Sequence, residues 1–227
     1  MPTHPDVSRE ESCSLSKLAI GESSLLSADH VRALLEWLQE GSSGAVFPFL
    51  ASMAGTALSP GEAASVRVQD VTLPDGEFGE VLVRAGERRT VPVTPDIVGV
   101  LRRWIDEAGL EAEDLLFPAE RGGPLASSEY KKAWRQARQA VLSSNEVQEG
   151  LGEQVYSLRD SCLDRWLEAG VPAWGVAAWA GVSASWIALR YPHCFRLEDI
   201  EPLQPDPAGM RVRPSLTADR PARSRTA

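Results

Sequence analysis

Residues 71 to 93 are the one strand-rich stretch of this chain, and helical signals dominate on both sides of it. Three extended runs, VTL, EVLVRA and RRTVPV, are separated by PDGEFG and GE, each a turn signal. They predict a small antiparallel sheet of two or three strands. Before it, Ser27 is a good N-cap for a helix with Val31, Leu34, Leu35 and Leu38 on one face, stopped near Gly41. A very apolar segment, VFPFLASMAGTAL, follows, and PGEAASVRVQDVTL reads as a short helix turning into an extended stretch. After the sheet, Ile97, Val100, Leu101, Trp104, Ile105 and Ala108 recur at helical spacing, with Gly109 as the stop. Ser127 or Ser128 caps a basic helix, EYKKAWRQARQAV. Three more helices are expected in SLRDSCLDRWLEAG, WGVAAWAG and around SASWIALRY. The expected fold class is therefore mainly α with a small antiparallel β-sheet inserted after the second helix.

The ends read differently. Residues 1–26 are polar, rich in Ser and Glu and without a period, so they read as a disordered arm. Residues 27–200 form the expected domain, and residues 201–227 read as a Pro/Arg-rich disordered tail. No apolar run reaches the length a membrane span needs, and the N-terminus lacks the apolar segment of a secretory signal. Cys13, Cys162 and Cys194 are odd in number and widely spaced, which fits a reducing cytoplasm. With His4, His30 and His193 scattered and no CxxC or HxxxH spacing, no metal site is expected.

Charge bears on partners. Residues 205 to 227 hold five arginines against two aspartates, a balance of +3. The chain as a whole carries −9, so the preceding 204 residues stand at −12. Non-specific affinity for DNA comes mainly from Lys and Arg displacing counterions from phosphates, so an acidic body needs a local basic face to bind it. The densest such cluster inside the expected domain is Lys131, Lys132, Arg135 and Arg138. The same helix face has a plainer reading as a solvated surface.

Several phrases, in order, resemble the catalytic domain of the tyrosine recombinase (phage integrase) family. Glu62 in AGTALSPGEAASVRVQDVTL stands where the family has Gly-x-Arg-x-x-Glu. Arg89-Thr90-Val91-Pro92 matches its Arg-x-Val-Pro hairpin end, and LFPAERGGPL matches its Leu-Phe-Pro and Gly-Gly-Pro-Leu pair. The last block, YSLRDSCLDRWLEAGVPAWGVAAWAGVSASWIALRYPH, follows His-x-Leu-Arg, Glu-Ala-Gly, Leu-Gly-His and the Tyr-x-His end. Its spacings, 23 residues from Arg159 to Val182 and 9 from Val182 to Tyr191, fit without a gap.

The resemblance implies the DNA breaking-rejoining fold and a metal-free, cofactor-free phosphoryl transfer. In that reaction a tyrosine hydroxyl attacks a DNA phosphodiester and forms a 3′-phosphotyrosyl link. A phenol with a pKa near ~10 must gain phenolate character, and planar guanidinium groups suit the charge on the non-bridging oxygens. Carried over by position, Tyr191 is the nucleophile and Arg159 the phosphate clamp. The other four positions depart from the pattern. Ser59 stands at the first arginine, Tyr156 and Val182 at the two histidines, and the hairpin offers Arg84, Arg88 and Arg89 but no lysine. Guanidinium is a poor proton donor, so none of these arginines replaces a lysine acid. Losing one preorganised charge donor costs on the order of a hundred- to a thousandfold in rate.

The DNA-binding residues implied are Arg84, Arg88, Arg89, Lys131 and Arg135, with double-stranded DNA as partner and a homo-oligomer or a partner recombinase beside it. About 26 residues precede the matched stretch, too few for the family's N-terminal clamping domain, so weaker DNA binding is expected. Three readings stand at this point: a recombinase in DNA integration and recombination, a catalytically inactive DNA-binding or partner-binding relative, and a decaying mobile-element remnant. Tyr191 as a packed aromatic and Arg159 as a structural ion pair are the plainer readings of those residues.

Overall fold

The computed structural model describes residues 19–21 and 24–195. Residues 1–18 and 22–23 of the expected arm, residues 196–200 of the expected domain and the expected tail from residue 201 lie outside the described residues. The packed body begins before Ser27. Leu25 and Leu26 are buried, and the Leu26 N–H donates to Ser161 Oγ at 3.0 Å. Ile20 N–H donates to the Arg190 carbonyl, so part of the stretch assigned to the arm is tied to the domain.

Helix α1 (Ala28–Gly41) starts at the expected cap: Ser27 Oγ accepts from the His30 N–H. It buries Val31, Leu34 and Leu38. The apolar segment that follows is a helix, α2 (Val46–Thr56), buried on almost all sides. A helix apolar all round has no amphipathic period to announce it, and it belongs in the centre of a fold. Phe49 stacks on Tyr130 and meets Phe117 edge-on, with ring centroids 4.8 and 5.5 Å apart. The polar groups that α2 does bury are satisfied inside it, Ser52 Oγ donating to Phe49 O and Thr56 Oγ1 to Ser52 O.

A short helix, α3 (Pro60–Ser65), leads into the sheet. Strands β1 (Val71–Thr72), β2 (Gly79–Val83) and β3 (Arg89–Val93) form an antiparallel meander, with Val81 opposite both Val71 and Val91. Val81, Val83, Val91 and Val93 face the core. Helix α4 (Pro95–Ala108) follows and ends at Gly109, whose φ of 61° lies in the left-handed region that favours glycine.

The basic helix α5 (Ser127–Val141) begins one residue earlier than a serine cap requires: Ala126 is its N-cap, and no side chain caps it. A short α6 (Ser144–Gln148), absent from the sequence reading, is capped by Ser143. Three helices close the body: α7 (Ser157–Glu168), α8 (Ala173–Ala180) and α9 (Ala184–Arg190). They pack a second core around Cys162, Leu163, Val176, Ile187 and Tyr191, beside the larger core built on α1, α2, the sheet and α5. Of the seven tryptophans only Trp134 is fully buried, and Trp174 is 73% exposed. The mainly helical body with its three-stranded insertion is the fold class expected of the sequence.

Candidate active site

Glu62 is the hub of the site. It lies in the first turn of α3, where Ser59 and Glu62 form a reciprocal cap: Ser59 Oγ accepts from the Glu62 N–H, and Glu62 Oε2 accepts from the Ser59 N–H at 2.8 Å. Pro60 occupies the first helical position, where its missing N–H costs nothing. The residue at the first arginine position is therefore a helix cap. It brings no charge into the site. Replacing Ser59 by Ala should lower stability by about 1 kcal/mol, read by chemical denaturation, through loss of that cap. An unchanged midpoint would show that the cap carries nothing.

Two guanidinium groups converge on the same carboxylate. Arg89 Nη2 donates to Glu62 Oε1 at 2.6 Å, and Arg159 Nη1 approaches Glu62 Oε2 at 3.4 Å. Burial pushes the Glu62 carboxyl up; the Ser59 N–H, Arg89 and the Ser59 hydroxyl outweigh it, and its pKa sits below the ordinary value. Both arginines also donate to the last turn of α8, Arg89 Nε to Trp179 O at 2.8 Å and Arg159 Nη2 to Ala180 O at 2.6 Å. Arg159 Nη1 donates in addition to Ala57 O, at the end of α2. Carbonyls at helix C-termini are short of donors and carry partial negative charge, so a guanidinium bridging two such ends is well placed electrostatically. Gly181, which ends α8 at a φ of 70°, leaves room for the Arg89 guanidinium; a Cβ there would stand 3.0 Å from it.

Arg159 is 4% exposed, and its partners lie within the protein. Arg89, grouped by sequence with the DNA-facing arginines, points inward to Glu62 and α8. Arg84 is half exposed and paired with the buried Asp70 at 2.6 Å, while Arg88 is exposed. At the two histidine positions, Tyr156 is 38% exposed with its ring 5.8 Å from the Arg159 guanidinium carbon, and Val182 packs against the second core.

Tyr191 stands apart from this hub. It follows the last residue of α9 and is 0% exposed. Its hydroxyl donates to Asp160 Oδ1 at 3.0 Å, and Arg190 Nη2 donates to Asp160 Oδ2 at 3.1 Å. Arg159 and Asp160 are neighbours on α7, but consecutive helical side chains diverge by about 100°. One therefore serves the Glu62 hub and the other serves Tyr191. Burial raises the Tyr191 pKa, and the Asp160 charge and hydrogen bond raise it further, against a smaller lowering by Arg190. A nucleophilic phenol needs the opposite environment. Asp160 and Arg190 are the residues that sequence reasoning missed, since nothing in local spacing links position 160 to position 191.

The basic face of α5 presents Lys131, Lys132 and Arg135 to solvent. Lys131 and Arg135 line a cavity of about 640 Å³ together with Tyr130, Trp134 and Tyr156. Arg138 lines it as well, but is buried, with Nε donating to Leu151 O at 2.8 Å. Its Nη2 has no hydrogen-bond partner among the described residues.

Known structures share this architecture. The chain superposes on XerA recombinase with a TM-score of 0.60 at 19% identity, over 73% of this chain and 57% of that one. XerH site-specific recombinase, in a pre-cleavage complex with its substrate, gives 0.60 at 18% identity, over 79% and 53%. The Tn1549 transposon integrase in complex with a circular intermediate DNA gives 0.60 at 13%, over 77% and 63%. The chain thus spans less than two thirds of the length of each. Comparison with curated proteins finds no match. The likeness fixes the fold as that of tyrosine recombinases. Residues 24–196, the stretch holding the Glu62 hub, the hairpin and Tyr191, match the family model, and the chain belongs to the phage integrase family.

Proposed function

We propose that this chain acts in DNA integration and recombination as a DNA-binding protein that does not cleave efficiently, working beside a second copy or a partner recombinase in the cytoplasm. The observation that carries the reading is the Tyr191 hydroxyl, buried and donating to the Asp160 carboxylate. Attack on a phosphodiester needs that proton to leave and the oxygen to reach solvent-borne DNA. The retained Arg159 is committed to Glu62 and two helix ends, and Ser59 offers no second guanidinium. A 3′-phosphotyrosyl intermediate would first require Tyr191 to leave Asp160, so no cleavage is expected while that bond holds.

Duplex DNA as the ligand is supported by the DNA complexes among the similar structures and by the exposed Lys131, Lys132 and Arg135. Arg88 and Arg84 on the hairpin are further candidates, whereas Arg89 serves the interior. The test is a gel shift on duplex DNA across a salt series. Binding should weaken steeply as salt rises, because each phosphate contact contributes a slope of about 0.9 in log K against log salt. Lys131→Ala and Arg135→Ala should each weaken binding and reduce that slope by about 1. Absent binding at low salt, or a slope unmoved by both substitutions, would refute the α5 interface.

A further inference from the structure

We infer that Asp164, His193 and Cys194 form a binding site for a zinc-class divalent cation, which fastens the turn after Tyr191 to α7. This inference is independent of the DNA reading. Asp164 projects from α7, and His193 and Cys194 belong to the three-residue 3₁₀ turn Pro192–Cys194. His193 Nε2 lies 2.7 Å from Asp164 Oδ1, and Cys194 Sγ lies 3.3 Å from the same oxygen. All three donor atoms fall within 4.8 Å of one another, and the residues are half-buried or buried. This is the only such trio of potential ligands among the described residues.

The chemistry of the donors selects the ion. An imidazole nitrogen, a thiolate and a carboxylate oxygen make a mixed borderline set that zinc accepts and that magnesium or calcium does not favour. Zinc bonds of about 2.0–2.3 Å in tetrahedral geometry place neighbouring ligand atoms roughly 3.3–3.8 Å apart. The sulfur–oxygen separation already matches. The nitrogen–oxygen pair has to open by roughly half an ångström as the ion replaces the hydrogen shared between them. Three protein ligands leave a fourth position for water. On binding, the Cys194 thiol loses its proton to solvent, the sulfur lone pair forms the metal bond, and any proton on His193 Nε2 leaves likewise. Spacing along the chain hides the site, because Asp164 precedes His193 by 29 residues.

The position of the site gives it a consequence. Tyr191 directly precedes the turn, its ring meeting His193 edge-on at 6.3 Å, and Asp160 lies one helical turn before Asp164 on α7. A bound ion therefore clamps the turn onto the helix whose Asp160 holds the Tyr191 hydroxyl.

The test is cobalt(II) titration of the full chain after chelation and dialysis under reducing conditions. The expected result is one ion per chain with a thiolate-to-cobalt charge-transfer band, displaced by zinc. Cys194→Ser should abolish the band, while His193→Ala and Asp164→Asn should each weaken binding by at least about tenfold, the cost of losing even a residue that only supports a ligand. Cys13→Ser should leave it unchanged. Circular dichroism of the metal-free variants should match the parent, which separates loss of a ligand from loss of fold. Absence of the band in the parent chain would overturn the proposal. So would a band that survives Cys194→Ser or depends on Cys13.

Discussion

Glu62→Gln should destabilise the domain by about 3–5 kcal/mol, because it leaves two buried guanidinium groups without their counter-charge. Arg89 and Arg159 have side-chain exposures of 9% and 5%, and both depend on that carboxylate. Gln keeps the volume but only one of the two acceptors, so the loss reports the charge and its hydrogen bonds and not packing. For a domain of this size, each kcal/mol moves Tm by about 2–4 °C, and a fall of roughly 10 °C is expected. The same group sets an acid limit. The pKa of Glu62 is lowered in the folded state, so its contribution is fully present above the unfolded value near ~4.3 and disappears as pH falls through the folded value. In thermal melts followed by circular dichroism, the gap between parent and variant should therefore close in acid. A Tm within about 2 °C of the parent at neutral pH would show that the hub is not a charge-dependent support.

Tyr191 carries the second large effect. Tyr191→Phe removes only the hydroxyl, yet it leaves Asp160 Oδ1 buried without that donor, at a cost of about 1–3 kcal/mol. Tyr191→Ala also opens a cavity in the core formed with Ile187, Val176 and Leu163, and should cost about 3–5 kcal/mol. Alkaline pH should act on the same bond. Burial and Asp160 raise the phenol pKa in the folded state, so its contribution is complete below ~10 and falls as pH rises above that toward the folded value. Denaturation midpoints of the two variants decide the matter: a neutral Tyr191→Phe would mean that the Asp160 bond does not hold the tyrosine.

Much of the fold was legible because amphipathic helices and turn residues act locally. The α1 and α4 stripes, the Gly109 stop and the turns around residues 74–79 and 86–87 all follow from short-range chemistry. Helix α2 was not, since apolar residues on every side leave no period. The site divides in the same way. Ser59-Pro60-Gly61-Glu62 is a readable capping sequence, and the family resemblance reads the same Ser59 only as a missing arginine. The inward turn of Arg89 was not readable, because its partner Glu62 lies 27 residues away and its carbonyl partner at Trp179 lies 90 away. Arg138 reads in sequence as part of the basic face and is buried, because α5 turns that position toward Leu151. Asp160, which holds Tyr191 from 31 residues away, was likewise hidden. The resemblance marked Tyr191 and Arg159 as positions; only the fold shows what each one touches.

That contact pattern leads to one decisive measurement. The chain is incubated with a nicked suicide DNA substrate, whose small cleavage product diffuses away and traps any covalent link, and the mixture is run on a denaturing gel. With Tyr191 held by Asp160 and a capping serine at position 59, the expected result is no adduct beyond that of Tyr191→Phe, under salt conditions where the gel shift shows DNA bound. A protein–DNA adduct that forms with the parent chain and vanishes in Tyr191→Phe would contradict this and show that Tyr191 cleaves DNA.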